Sequence, residues 1–259
     1  KDYIIASDTD SIYVTFDDLV NKSFGERTDV STERVINFLD EIAKEKMEPY
    51  IDKCFIELAE YVKAYAQRME MSREVIADKG IWTAKKRYIL NVHDSEGVRY
   101  AEPQLKIMGI EAVKSSTPGP CREKIKEVLK VIVNEDSVAV NNFIQEFRKE
   151  FMSLPVENIA FPRSVNGLRK WSDSNGIFKK KCPMHIKGAL IYNYLLKRLN
   201  LTKKYPLILE GEKIKYLLLK TPNKVQANVI AFLGVLPKEF ELHDYINLDL
   251  QFEKSYVDP

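Results

Sequence analysis

Cysteines, long apolar runs and a charge imbalance are all scarce in this chain. Three cysteines, Cys54, Cys121 and Cys182, occur in 259 residues. They lie far apart and show no metal-ligand spacing. That excludes a disulfide framework or a cysteine-built zinc site and fits free thiols in a reducing compartment. No apolar run reaches the roughly 20 residues that span a bilayer, so no membrane association is expected. The first residues lack a basic region followed by an apolar one, so no secretory signal is read there. Internal repeats and low-complexity segments are also missing. The formal net charge is only +2, so the chain as a whole does not advertise a polyanionic partner. The remaining composition, 45% hydrophobic and 30% charged, is that of a globular protein able to bury a full core.

The sharpest positive feature is Asp8-Thr9-Asp10, which interrupts two apolar segments, residues 3–7 and 11–16. The flanks read as β-branched and aromatic strands of a hairpin. Adjacent carboxylates repel, and a divalent cation with hard oxygen ligands offsets that repulsion most simply. The turn is therefore a candidate site for metal-dependent phosphoryl transfer. Against this stands the ordinary preference of Asp for turns.

Residues 17–30 are polar and read as a loop. Ser31 is placed to cap a helix whose apolar residues recur from Val35 to Tyr65, with a kink or break at Pro49. Residues 68–77 read as a weak strand carrying Glu74, a possible accessory acid. Residues 80–93 read as one further strand, closed by the turn Asp94-Ser95-Glu96-Gly97. On that strand Lys86 and Tyr88 share one face, and Lys85 and Arg87 share the other. Cation and aromatic at this spacing can hold a phosphate while the ring packs on a sugar or base edge. A lysine-protected strand edge is the plain alternative. The first part of the chain thus reads as antiparallel β backed by long helices.

The second part reads as mostly helical. Thr117 before Pro118 starts a helix to about Val133, and another follows from Asp136 to Met152. A long loop with Gly167 and Gly176 precedes a third helix begun by Pro183. Segments 212–219 and 228–233 read as short strands, and the last twenty residues as helix. Between Arg163 and Lys187 stand seven Lys or Arg and one acid, Asp173, an electrostatic footprint for phosphate. Within it, Lys179-Lys180-Lys181 leads into Cys182-Pro183, His185, Lys187 and Gly188. This resembles a helix N-terminus aimed at phosphate, with a solvated basic loop as the alternative.

Taken in this order, the motifs resemble the C-terminal part of a family B DNA polymerase of the T-even-type phage branch. Asp8-Thr9-Asp10-Ser11 is similar to that family's motif C, and Lys86-Arg87-Tyr88 to its Lys-x-Tyr motif. Lys106-Ile107-Met108-Gly109 with Lys114-Ser115-Ser116-Thr117-Pro118 resembles its palm-to-thumb passage. Cys182-Pro183-x-His185-Ile186-x-Gly188 and Gly211-Glu212-Lys213 resemble thumb landmarks. Ser7 stands where the family has glycine.

The resemblance implies an α+β fold: the remainder of a palm over residues 1–109, then a helical thumb with a small β subdomain over 110–259. It implies Asp8 and Asp10 as catalytic carboxylates for two Mg²⁺ ions, with Glu74 accessory. It implies DNA contacts from Thr9, Lys85, Lys86, Arg87, Tyr88, Lys114, Lys179, Lys180, Lys181, His185 and Lys187. The implied partners are primer–template DNA, a dNTP and the missing N-terminal polymerase half, which carries the exonuclease, the fingers and the rest of the palm. A sliding clamp is not expected to bind through this chain, because the C-terminal clamp peptide is not seen. The implied location is the cytoplasm of a bacterial host. The chain reads as an excised or split piece that needs its other half for activity. Two other functions fit some of the same residues. Asp8-Thr9-Asp10 could be the metal motif of a sugar-nucleotide glycosyltransferase, although such enzymes place a nucleotide-binding domain before it. The chain could also be a non-catalytic clamp on duplex DNA.

Overall fold

The computed structural model describes residues 2–25, 30–110, 112, 114–174 and 177–258. The expected loop residue Gly176 lies outside them. The chain divides into two compact units, Lys1–Gly109 and Ile110–Pro259.

The first unit mixes antiparallel sheets with helices, as expected. Strands β1 (Ile4–Asp8) and β2 (Ser11–Val14) form a two-stranded antiparallel sheet. Helix α1 (Asp17–Phe24) occupies part of the segment expected to be a loop. Its first turn carries Asp17 and Asp18 and its last turn carries Lys22, the charge order that the helix macrodipole favours. Helix α2 (Thr32–Ile42) is capped as expected, with the Ser31 hydroxyl accepting from the Arg34 N–H at 3.3 Å. It runs through a π-helical turn, Ala43–Met47, into α3 (Glu48–Tyr61). Pro49 follows directly, near the start of α3 in a backbone that stays helical from the π-helical turn onward. The rearrangement at Pro49 is thus a wide turn just before it.

Residues 68–74 are not a strand. The second sheet has the order β3 (Val75–Ala84), β4 (Arg87–Ser95) and β5 (Val98–Met108), all antiparallel. What reads as one strand over 80–93 is therefore two strands with a turn at Lys85-Lys86. The core of this unit is formed by Ile36, Ile76, Ile89, Leu90 and Val92.

The second unit is helical around a small sheet. Helix α4 (Gly119–Asn134) starts after Pro118, one residue later than expected, and Thr117 is buried ahead of it. In α5 (Ser137–Ser153), Asp136 caps the helix by accepting from the Ala139 N–H at 2.9 Å. The segment expected as one long loop contains α6 (Val156–Ile159), β6 (Phe161–Ser164) and α7 (Leu168–Trp171). Helix α8 (Met184–Arg198) follows Pro183, and the sheet orders as β6, β7 (Lys213–Leu218), β8 (Val229–Phe232). Gly188 brings α8 onto β8: a Cβ there would lie 2.8 Å from the Ala231 nitrogen. All four β8 residues are buried. Helix α9 (Leu248–Phe252) brings Phe252 against Phe147 and Phe151. The buried Gln251 ties this layer together, accepting from the Leu218 N–H and donating to the Ile159 carbonyl. The last twenty residues are helical only in short pieces: a 3₁₀ turn at His243–Tyr245, then α9 and a π-helical turn at Glu253–Val257.

Candidate active site and nucleic-acid interface

The acidic turn is tight. Asp8 closes β1 and pairs with Ser11 at the start of β2. The Asp10 N–H donates to the Asp8 carbonyl at 2.7 Å, and Thr9 between them has φ 51°. A β-branched residue in the left-handed region is strained, and such strain persists only where neighbours fix it. Here the Ser11 hydroxyl donates to the Asp8 carbonyl at 3.1 Å, and the Thr9 hydroxyl donates to Asp8 Oδ1 at 3.2 Å. Ser7, which stands where glycine is usual in the resembled family, pairs regularly with Ile12 without a left-handed φ. Serine therefore costs nothing there.

The basic motif differs from the sequence reading. Lys85 and Lys86 form the tip between β3 and β4, with Trp82 paired to Tyr88 and Ala84 to Arg87. The expected sharing of faces by Lys86 and Tyr88, and by Lys85 and Arg87, does not hold. Lys86 has φ 62°, and Gly109 packs so closely that a Cβ there would lie 2.2 Å from the Lys86 carbonyl oxygen. The turn thus depends on a glycine distant in sequence.

The acidic and basic turns meet. Lys86 Nζ lies 3.6 Å from Asp8 Oδ1. Tyr13, from β2, packs edge-on against Trp82 and Tyr88, each with ring centroids 5.4 Å away. Burial raises the Tyr88 phenol pKa well above the usual tyrosine range. The neighbouring Tyr13 side chain, then the Glu74 and Asp8 carboxylates, add to the effect. Glu74 forms an ion pair with Lys106 of β5. Asp8, Glu74, Lys86 and Tyr88 are therefore neighbours, with Asp10 exposed on the turn beside them. Asp8 and Asp10 are hard oxygen donors of the kind Mg²⁺ takes. Among the described residues, no group of three or more His, Cys, Asp or Glu is arranged to hold a metal ion. The pair does not by itself form a closed site.

A network that sequence reasoning missed lies at the other end of β4. The Arg73 guanidinium pairs with the fully buried Asp94 of β4 and, at 2.6 Å, with Asp40 of α2. Arg99 Nε reaches the other Asp94 oxygen at 3.1 Å. Asp94 was read only as a turn residue. Its place on the strand that carries Ile89, Leu90 and Val92, two residues beyond the last of them, was the available signal of burial.

In the second unit the basic loop is partly turned inward. Lys179 Nζ donates to the Lys170 carbonyl at 2.8 Å. Lys187 Nζ donates to Asn228 Oδ1 at 2.8 Å and stands 4.9 Å over the Phe178 ring. His185 packs beside Tyr216, and burial, followed by the Arg163 charge, lowers its pKa. It is neutral at pH 7 and brings no cation. Lys180 and Lys181 are exposed, as is the internally bonded Lys179. Lys114 is exposed ahead of α4, where its carbonyl accepts from the Thr117 N–H at 3.2 Å.

No protein-family model matches the chain. Over 275 aligned residues it is 36% identical to the DNA-directed DNA polymerase of Enterobacteria phage T4, covering all of this chain and 30% of that protein. Its relatives are phage DNA-directed DNA polymerases. The corresponding enzyme of Escherichia phage RB69 is 40% identical over 270 residues, covering 99% of this chain and 29% of that polymerase. The chain therefore spans about 30% of the length of the polymerases it matches. A solved family B DNA polymerase from the archaeon Pyrobaculum calidifontis aligns with a TM-score of 0.47 at 16% identity, covering 80% of this chain and 23% of the other. Among the described residues, no helix is long and apolar enough to cross a membrane.

Proposed function

We propose that this chain is the palm remainder and thumb of a DNA-directed DNA polymerase, with residues 1–109 as palm and 110–259 as thumb. The reaction is attack of a primer 3′-OH on the α-phosphate of a dNTP, with release of pyrophosphate. The observation that carries the reading is the meeting of the Asp8–Asp10 turn with Lys86 and Tyr88, in a chain similar to polymerases from end to end. Asp8 and Asp10 would hold Mg²⁺, which when bound stabilises the attacking and leaving oxygens of the displacement. Glu74 is an accessory acid, held by Lys106. Lys86 and Tyr88 orient the primer end, with Thr9, Lys85 and Arg87 beside them. Lys114, Lys179, Lys180, Lys181, His185 and Lys187 line the duplex-binding side of the thumb, with Lys180 and Lys181 the exposed charges of the basic loop that make no internal bond to its backbone.

On this reading, activity needs the remaining polymerase polypeptide. Apolar surface in the first unit supports that need. Ile4 and Ile5 of β1 are 55% and 51% exposed, and α3 has no buried residue. A two-stranded sheet with an uncovered apolar face is marginal alone. The test is to mix the chain with the upstream polymerase half and assay Mg²⁺-dependent dNTP incorporation. Incorporation is expected from the mixture alone and is lost on Asp10→Asn; incorporation unchanged by that substitution rejects the catalytic assignment.

A second reading applies to the chain by itself, supported by the exposed lysines of the basic loop. As a duplex-DNA clamp, it would bind with a steep salt dependence that survives EDTA and Asp8→Ala/Asp10→Ala.

A further inference from the structure

Tyr13 was given no role by the motifs, yet it connects the two turns. It lies on β2, a few residues beyond the acidic turn, and pairs with Ala6. Its ring reaches the other sheet and meets Trp82 and Tyr88 edge-on, at interplanar angles of 72° and 61°. Trp82 and Tyr88 face each other across β3 and β4, with ring centroids 6.2 Å apart. Three rings, one from the acidic hairpin and two from the basic one, therefore form a closed cluster. Edge-on aromatic contacts of this kind contribute energy beyond area burial and fix orientation. The other link between the hairpins, Lys86 to Asp8, joins side chains that are 64% and 31% exposed. A pair so exposed holds geometry weakly.

We propose that Tyr13 is a positioning residue: its ring fixes where Tyr88 stands relative to the Asp8–Asp10 turn, so that the carboxylates and the primer-facing side chain move as one piece. This rests on the polymerase reading above. The hydrogen bond between Tyr13 and Tyr88 that contributes to the raised Tyr88 phenol pKa agrees with it. Tyr13 itself touches no reacting group.

The experiment uses the chain reconstituted with the remaining polymerase polypeptide and measures kcat and KM for dNTP on a primer–template. Tyr13→Leu removes the ring. A loss of about tenfold in kcat with little change in KM is expected, since two edge-on contacts together amount to about the free energy of a tenfold rate change. Tyr13→Phe keeps the ring and should restore kcat to within about threefold of the parent. Because Tyr13 acts through Tyr88, adding Tyr13→Leu to Tyr88→Leu should cost nothing further. Multiplying losses in the double variant, or no rescue by phenylalanine, overturn the inference. A folding defect is separated by a readout that needs no activity. In a Trp171→Phe background Trp82 is the sole tryptophan of this chain, and its emission is read on this chain without the other polypeptide. Its emission should change on Tyr13→Leu and be unchanged in Tyr13→Phe, while the far-ultraviolet spectrum stays constant; unchanged emission in Tyr13→Leu also overturns the proposal. An Asp10→Asn control distinguishes the two readings. If it leaves incorporation intact, the polymerase site is wrong. If it abolishes incorporation while Tyr13→Leu does nothing, only the role of Tyr13 falls.

Discussion

Lys86 reaches across from the tip of one hairpin to Asp8 at the tip of another, with Nζ 3.6 Å from the carboxylate oxygen. A cation beside a candidate metal ligand is expected to orient substrate and to contribute little to stability. Lys86→Met should change the unfolding free energy by less than about 1 kcal/mol, because the pair is exposed. In the reconstituted polymerase it should reduce primer extension by about ten- to a hundredfold, the range for losing one charge-assisted contact. Urea unfolding and single-turnover incorporation on the same variant check both halves of this statement.

Arg73 makes the opposite prediction. It neutralises Asp94, which has no exposure, and reaches Asp40 as well. Arg73→Met leaves Asp94 with the partly exposed Arg99 and the Gly97 N–H, and should destabilise the protein by about 3–5 kcal/mol. The Lys44 ammonium, followed by Arg73, holds the Asp40 carboxyl below its usual range. A carboxyl depressed in the folded state stabilises above its unfolded pKa, and that stabilisation is lost as pH falls through the folded value. Denaturation midpoints measured from pH 7 down to pH 3 should therefore fall at the acid end, and less steeply in Lys44→Ala.

Gly109→Ala tests the support beneath the basic turn. Its φ of 67° and its contact with the Lys86 carbonyl leave no room for a methyl group. A cost of about 1–3 kcal/mol is expected from strain and displacement together. Amide exchange should accelerate at Lys85 and Lys86 before it does in β4, which a merely global loss of stability would not produce.

The lysines of the second unit should divide by exposure. Lys180→Ala and Lys181→Ala should each weaken duplex binding and reduce the salt slope by about one. Lys187 is engaged with Asn228 and Phe178. Lys187→Ala should lower thermal stability, with a smaller effect on the slope. Binding isotherms at several salt concentrations, paired with melting curves, check the division.

The acidic turn was legible because two apolar strands flank it and their register depends on nothing distant. The helices from Ser31 onward and from Asp136 were legible for the same reason: cap and periodicity are local. The Lys85-Lys86 turn was not, because lysines carry no turn signal and the left-handed Lys86 is backed by Gly109, which enters from β5. The four-residue strand β6, with Pro162 inside it, exists only through its pairing with β7. The first helix was missed although its charges, acidic at the start and basic at the end, were in view. Among the expected DNA contacts, burial of His185 and internal bonding of Lys179 and Lys187 depend on partners that a charge count cannot reveal.

The π-helical turn at Ala43–Met47 has a geometric consequence for the helix that contains it. From Ile36 to Val62 the apolar residues recur at Leu39, Ala43, Met47, Ile51, Phe55 and Leu58, a spacing slightly too long for a straight α-helix of about 3.6 residues per turn. Absorbing one surplus residue in the wide turn keeps all of them along a single straight seam. That seam begins buried at Ile36 and ends uncovered at Leu58 and Val62. Deleting one residue from the wide turn would swing its far half by about 100°, parting the covered stretch from the bare one.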